Sequence, residues 1–181
     1  MARKKSPPKP AARGKSPATI PFTDEDRAAS LDLLMEAAPV LRAARLLRLT
    51  LQRASVEADP VLIDLPGRHV VRMDEPEIEA SYHDGRRVLR ILCTFRLRAE
   101  VEMKTPAGLM GDDPPRALSI EACFQSDYEL AKGADFTDDQ FDAFASSAAI
   151  TRAWPYWRDF VRDASTRTGA PVVDVPHDIV F

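Results

Sequence analysis

The sequence predicts an α+β fold, in which a short N-terminal helix precedes a four-stranded antiparallel sheet and a long proline-kinked helix follows it. Two observations support this prediction. Apolar and polar residues alternate over Val88–Met103, as in a strand with one buried face. A capping signal at Thr137 then opens a run of apolar residues at helical spacing. A block of strands followed by a helix is typical of α+β proteins.

The first helix is predicted to begin after Thr23, a hydroxyl N-cap, with the carboxylates of Asp24, Glu25 and Asp26 near the positive end of the helix dipole. Its apolar stripe at helical spacing consists of Leu31, Leu34, Met35 and Ala38. We expect this stripe to face the core and the helix to end before Pro39.

Four strands are predicted to follow. The first covers residues 46–58 and changes its apolar parity at Ala54, which indicates a bulge. Residues 59–75 show no sustained period and are expected to be an irregular excursion. The second strand is Glu77–Tyr82. Asp84-Gly85 predicts a two-residue hairpin turn, which makes the strand Val88–Met103 its antiparallel neighbour.

After a loop over residues 104–116, alternation resumes from Leu118 to Leu130 and predicts the fourth strand. Thr137 and Gln140 then fit a capping box. The helix that follows is expected to kink or restart near Trp154, because Pro155 lacks an N–H and clashes with the preceding turn. Its apolar positions include Phe141, Phe144, Ala145, Ala148, Trp157, Phe160, Val161 and Ala164. Gly169 is placed to end it, and 171–181 is expected to be extended.

Charge divides the chain into two parts. The net charge is −3, but residues 1–20 hold six basic residues and no acid, which leaves −9 on residues 21–181. Residues 1–20 are poor in large apolar groups and are expected to be a disordered basic tail, with one folded domain over 21–181. No apolar run is long enough to span a membrane, and none follows the basic start as in a signal peptide. We therefore expect a cytoplasmic protein.

Catalytic and cofactor motifs are missing from the sequence. The three histidines are scattered, there is no phosphate-binding loop, and Cys93 and Cys123 lack the spacing of a sulfur-ligated metal site. Ser81, His83 and Asp84 are close in sequence, but they lie at a predicted hairpin end where polar residues are common. We predict a protein without enzymatic activity and without a cofactor.

The segment from Ala153 to Val161, with Trp154-Pro155-Tyr156-Trp157-Arg158, and the stop at Gly169-Ala170-Pro171 before Val172–Pro176 resemble the export chaperone SecB and the SecB-like chaperones. The order of four strands before the long helix also agrees, so the similarity covers roughly residues 40–180. The resemblance implies a SecB-like fold, a homotetramer built as a dimer of dimers, and ATP-independent binding of unfolded or nascent polypeptides that keeps them competent for translocation or assembly.

Candidate site residues follow from the resemblance and from the aromatic character of the helix. Phe144, Trp154, Tyr156 and Trp157 are predicted to bind clients. Glu121, on the fourth strand, is placed near the acidic face with which the family meets the translocase motor. The chain departs from SecB because it ends at Phe181, without the second helix and acidic tail, and because it adds the basic tail.

These departures leave alternatives open. SecB-like proteins without the acidic tail serve as chaperones of antitoxins in toxin–antitoxin–chaperone systems, so an antitoxin-dedicated chaperone is the nearest alternative. An adaptor tethered to nucleic acid through the basic tail is an alternative of another class, although the acidity of residues 21–181 makes a nucleic acid partner unfavourable. Insertion into a membrane is not expected.

Overall fold

The computed structural model describes residues 24–64, 68–102, 115–170, 173, 175 and 176. In chain order the elements are α1 (Asp24–Ala43), β1 (Ala44–Ala58), the single turn α2 (Pro60–Ile63), β2 (Arg68–Met73), β3 (Glu77–His83), β4 (Val88–Glu102), β5 (Arg116–Leu130), α3 (Asp138–Phe144), a π-helical segment (Ala145–Ala149) and α4 (Ile150–Thr168). The α+β class is confirmed. The predicted tail at 1–20 and most of the extended 171–181 lie outside the described residues.

The sheet is antiparallel and runs in the order β1, β5, β4, with β2 and β3 side by side along the far edge of β4. β3 pairs with the first half of β4, and β2 pairs with its second half. The sheet is therefore four strands wide, as predicted, but the fourth position is shared by two short strands. Sequence reasoning missed β2, because Val70 and Val71 are adjacent and break the alternation.

One face of the sheet, which we call the inner face, carries the core. Its residues from β4 and β5 are almost fully buried, among them Leu89, Ile91, Phe95, Leu97, Ile120 and Tyr128. Helix α4 covers them with Trp157, Val161 and Ala164, at the helical spacing that the sequence indicated. The other face, which we call the outer face, carries mainly arginines and carboxylates. The predicted alternation of both long strands is thus confirmed.

One predicted local feature is confirmed and one is wrong. β1 has register shifts at Leu46/Arg48 and Leu51/Arg53, the second of which explains the change of parity at Ala54. Asp84-Gly85 does not form a two-residue type I′ turn. A 3-10 turn spans Asp84–Arg86, and the left-handed residue is Arg87 with φ 51°. The Arg87 side chain donates to the carbonyl of Leu130 at 3.2 Å, which helps to hold this backbone position.

Helix α1 differs from the prediction in its end and in its buried side. It continues through Pro39 to Ala43 instead of stopping before the proline. The residues that it buries are Ala37 and Val40, while Leu31, Leu34 and Met35 of the predicted stripe are 58, 48 and 68% exposed. Because α3 and the π segment cover one side of α1, the stripe has no partner among the described residues of a single chain.

The C-terminal helix begins as predicted, with a capping box between Thr137 and Gln140. Its interruption is not where the proline predicts it. The backbone is π-helical over Ala145–Ala149, while α4 is continuous through Pro155. One inserted residue in a helix produces such a segment without any proline, so composition gave no signal for it. Gly169 ends α4 at φ 74°, as expected.

Candidate functional site

An open cavity of about 540 Å³ lies where α1 and α4 meet the β2–β3 edge of the sheet. This volume is within the range of about 300–1,000 Å³ that is usual for ligand sites. Its lining comes from six elements and a connector, and is mainly apolar: Leu33, Met73, Asp74, Glu75, Pro76, Ile78, Phe95, Arg96, Ser146, Ile150, Trp154 and Trp157.

Three aromatic rings form the floor of the cavity. The Phe95 ring stacks on Trp157 at a centroid distance of 5.5 Å and meets Trp154 edge-on at 5.8 Å. All three side chains are at most 3% exposed, so the floor is packed against the core. Such ring pairs contribute about 0.5–1.5 kcal/mol each beyond the area that they bury. The floor is therefore rigid and apolar.

Trp154 also fixes the chain beyond α4. Its indole Nε1–H donates to the carbonyl of Pro176 at 3.0 Å, and Arg158 Nε donates to the carbonyl of Val175 at 3.1 Å. Val175 is 4% exposed. The described part of the C-terminal segment therefore lies against α4, and the polar edge of Trp154 is used within the fold. The indole N–H of Trp157 is buried without a hydrogen-bond partner.

The rim of the cavity is tied to β4. The connector Asp74–Pro76 between β2 and β3 forms this rim, and the backbone N–H of Asp74 donates to the carbonyl of Arg96 at 3.2 Å. The Asp74 carboxylate accepts from Arg98 at 2.5 Å, and Glu77, just after the connector, pairs with Arg96. Two arginines of β4 thus hold the rim over the aromatic floor.

The predicted client-binding residues divide into three groups. Trp154 and Trp157 line the cavity. Phe144 is fully buried against Tyr128 and does not line it. Tyr156 is 57% exposed and also lies outside the cavity lining. The structure therefore brings together two of the four residues, and a client-binding role for any of them stays a prediction.

Sequence reasoning missed several residues of the cavity wall, namely Leu33, Met73, Pro76 and Ile78. Met73 belongs to the unrecognised strand β2, and Pro76 was interpreted as the boundary of an irregular segment. Ile78 was assigned to a strand but not to a site. A signal was available in Pro76, which lies in the acidic run Asp74–Glu77 and marks a bend between two strands at one sheet edge.

Glu121 lies on the outer face, where it accepts from Arg96 Nε at 2.8 Å and lies 3.8 Å from Arg53. Asp127 is shared in the same way by Arg48 at 2.7 Å and Arg90 at 2.9 Å. The remaining outer-face carboxylates of β4 and β5, namely Glu100, Glu102 and Glu129, each have an arginine partner. The expected acidic face is therefore compensated by arginine, and the translocase contact at Glu121 stays a prediction.

Ionisation follows from this pairing. Burial tends to raise the pKa of Asp127, but hydrogen bonds from Arg90, Arg48 and Gln125 outweigh it and lower the pKa. On the inner face, burial raises the pKa of the Cys93 thiol to about 12, with a further contribution from Cys123.

Among residues 24–64, 68–102 and 115–170, no group of three or more metal-ligating side chains comes together. No helix in the described part of the chain is long and apolar enough to cross a membrane.

The fold and site define a class of protein: an antiparallel sheet with a helix across its inner face and an open, aromatic-floored apolar cavity at one edge. Among solved structures, the chain is similar to the Mycobacterium tuberculosis SecB-like chaperone Rv1957 in complex with a ChAD peptide from the HigA1 antitoxin. The TM-score is 0.61 at 18% identity, over 82% of this chain and 97% of that one. The chain therefore has the SecB-like fold, which confirms the fold that the sequence resemblance implied.

A second solved structure, that of a Streptococcus agalactiae protein of unknown function, has a TM-score of 0.34 at 7% identity, over 74% of this chain and 98% of that one. No protein-family model matches the chain, and no curated protein sequence matches it either.

Proposed function

We propose that the protein is an ATP-independent chaperone that acts in the cytoplasm and holds unfolded or nascent polypeptides by their apolar segments. The observation that carries this proposal is the open cavity floored by Phe95, Trp154 and Trp157. The fold of this chain is similar to that of a SecB-like chaperone in complex with an antitoxin peptide, which supports a polypeptide as the occupant of the cavity. The proposed role is binding and not catalysis.

The composition of the cavity favours loose capture of many sequences. Its walls are mainly apolar, so affinity comes chiefly from buried apolar area, at about 25 cal/mol per Å² before the cost of ordering the client. The exposed Glu75 at the rim suits basic residues next to an apolar anchor, whereas Asp74 is already paired with Arg98. Apart from the indole N–H of Trp157, the three floor rings present no free directional polar group, so few client sequences are rejected.

We propose further that the chain forms a homotetramer. The exposed stripe of Leu31, Leu34 and Met35 gives α1 a second apolar side, which one chain leaves in solvent. β1 is an edge strand that pairs only with β5 among the described strands, and its inner-face residues Leu51 and Val56 are 47 and 39% exposed.

The test of the proposed function is suppression of aggregation. A chemically denatured client is diluted into buffer without nucleotide, and light scattering is followed with the chaperone at one tetramer per client. We expect the scattering to fall to near the baseline. Undiminished aggregation would refute the proposal. Gel filtration with light scattering checks the assembly, for which a stable monomer of about 20 kDa would contradict the tetramer.

An antitoxin-dedicated chaperone is the second candidate, and it is favoured by the antitoxin peptide that the similar structure holds. The two functions differ in the spread of affinities. A general chaperone is expected to bind many tiled peptides of one client within about a tenfold range, whereas a dedicated one binds a single sequence at least about a hundredfold more tightly than the rest. Titration of fluorescent peptides, with the ChAD peptide among them, separates the two.

The remaining partners rest on parts of the chain that the structure does not describe or on compensated charges. A nucleic-acid tether would act through residues 1–20, and deletion of these residues is expected to abolish retention on DNA while leaving client holding unchanged. A translocase motor at Glu121 would have to compete with Arg96 and Arg53 for the carboxylate. We therefore propose polypeptide holding, and not export targeting, as the main role.

A further inference from the structure

β3 is a sheet edge that lies directly beside the cavity. It pairs with β4 along its whole length, and no described strand pairs with its other edge. Half of its backbone N–H and C=O groups therefore point away from the sheet, as in any edge strand. Ile78, at the start of β3, belongs to the cavity wall. A chain that leaves the cavity in this direction runs alongside an open strand edge.

The two faces of β3 differ in chemistry. On the inner face, Tyr82 is 38% exposed and stacks on Phe141 at 5.4 Å, which extends the apolar surface of Ile78 to the end of the strand. On the outer face, the exposed Glu79 forms no ion pair with any described residue, whereas Glu77 is paired with Arg96. Side chains alternate between the faces of a strand. A segment added to β3 would therefore need apolar and basic residues in alternation.

We propose that β3 captures clients by strand addition, and that the occupant is an extended polypeptide segment with alternating apolar and basic residues. Its backbone hydrogen-bonds to the free edge of Glu77–His83, its apolar side chains lie beside Ile78 and Tyr82, and a basic side chain lies beside Glu79. Main-chain bonds supply affinity in a manner that does not depend on sequence, and the two faces supply the preference. This inference rests on the proposed chaperone function and specifies how that site extends.

The backbone claim is tested with a fluorescent peptide of about eight alternating lysines and leucines, long enough to span β3. Two versions carry N-methyl groups at alternate residues, one set on the lysines and the other on the leucines. Since alternate residues of a strand bond to opposite sides, one set blocks the bonds to β3 and the other leaves them intact. We expect their affinities to differ at least about tenfold. Equal affinities, or no binding by the parent peptide, would overturn strand addition.

The location is tested with labels on two matched serines. Ser81 lies on the outer face of β3 and Ser55 on the outer face of β1, and both are exposed. Cys93 and Cys123 are buried, so a dye attaches to a cysteine introduced by Ser81→Cys or Ser55→Cys. A quencher on the peptide is expected to act at position 81 and not at 55. Quenching at position 55 alone would show that the peptide binds at β1. Quenching between protein copies that are labelled at position 81, in the absence of peptide, would show that a second copy of the chain occupies the β3 edge. Either result overturns the proposal.

The charge claim is tested by Glu79→Lys, with Glu57→Lys on the outer face of β1 as the matched control. We expect Glu79→Lys to lower the affinity for the basic peptide by about tenfold or less. The same variant should bind a peptide with glutamate in place of lysine more tightly than the wild-type protein does. Glu57→Lys should change neither. If wild-type protein suppresses client aggregation but fails these tests, strand addition alone is refuted. If it does not suppress aggregation, the proposed function itself is refuted.

Discussion

Met73→Asp is expected to weaken client capture strongly without unfolding the protein. Met73 lies in the cavity wall and is 40% exposed, so its contribution to the core is small while its contribution to the cavity surface is large. Its neighbours Asp74 and Glu75 are already acidic. A third carboxylate at this rim removes an apolar contact and places a charge where the client must displace water.

The magnitude follows from the exposure. Complete burial of a methionine contributes about 1.5–3 kcal/mol, so covering the exposed two-fifths contributes about 1 kcal/mol. Leaving a polar group unpaired in the bound state costs about 1–3 kcal/mol more. The sum, about 2–4 kcal/mol, corresponds to an affinity at least about 30-fold lower. The assay is fluorescence titration with an uncharged apolar peptide, so that attraction between charges does not offset the loss.

Val71→Asp is the matched control. Val71 lies on the same strand and the same inner face and is 45% exposed, but it does not line the cavity. The affinity of the Val71→Asp variant for the peptide is expected to stay within about twofold of the wild-type value. Both variants should retain most of the wild-type free energy of unfolding, because substitutions at exposed positions usually change it little. If the Met73 variant binds as tightly as wild type, or if both variants lose affinity equally, the cavity is not the client site.

Three further predictions follow. Trp157→Ala should lower the free energy of unfolding by about 3–5 kcal/mol, because the side chain is fully buried. Tyr156→Ala, on the exposed side of the helix, should change it by about 0.5 kcal/mol or less. Equal losses of the two variants in urea titrations would contradict the assigned burial. Because the pKa of Asp127 is lowered in the folded protein, this residue stabilises the fold above the ordinary aspartate pKa, and its contribution is lost as pH falls through the lowered pKa. The decline of stability below about pH 4 should therefore be shallower in Asp127→Asn than in the wild type. An unchanged pH profile of stability would contradict the pairing. Cys93, whose pKa is raised to about 12, should resist thiol reagents at pH 8 until denaturant is added, and rapid labelling of that thiol in the native protein would show that the inner face opens.

Local pattern was enough to determine the main elements of this protein. The long alternating strands β4 and β5, the capping box at Thr137 and the glycine stop at Gly169 all lie where periodicity and capping rules place them. These features depend on near neighbours in the chain, so the sequence contains their causes. The resemblance of the Trp154–Arg158 segment then led to the SecB-like fold, which the structural comparison confirms.

Tertiary structure decided which apolar residues became core and which became site. Nothing local distinguishes Leu33 from Leu34 on α1, yet the first borders the cavity and the second is exposed, because α3 covers only one side of the helix. β2 has too little alternation to be recognised and exists because the edge of β4 offers it a partner. The cavity itself is assembled from six elements and a connector, many of which are distant in sequence. Its position depends on how those elements pack, and packing is a property of contacts between distant residues that no local pattern records.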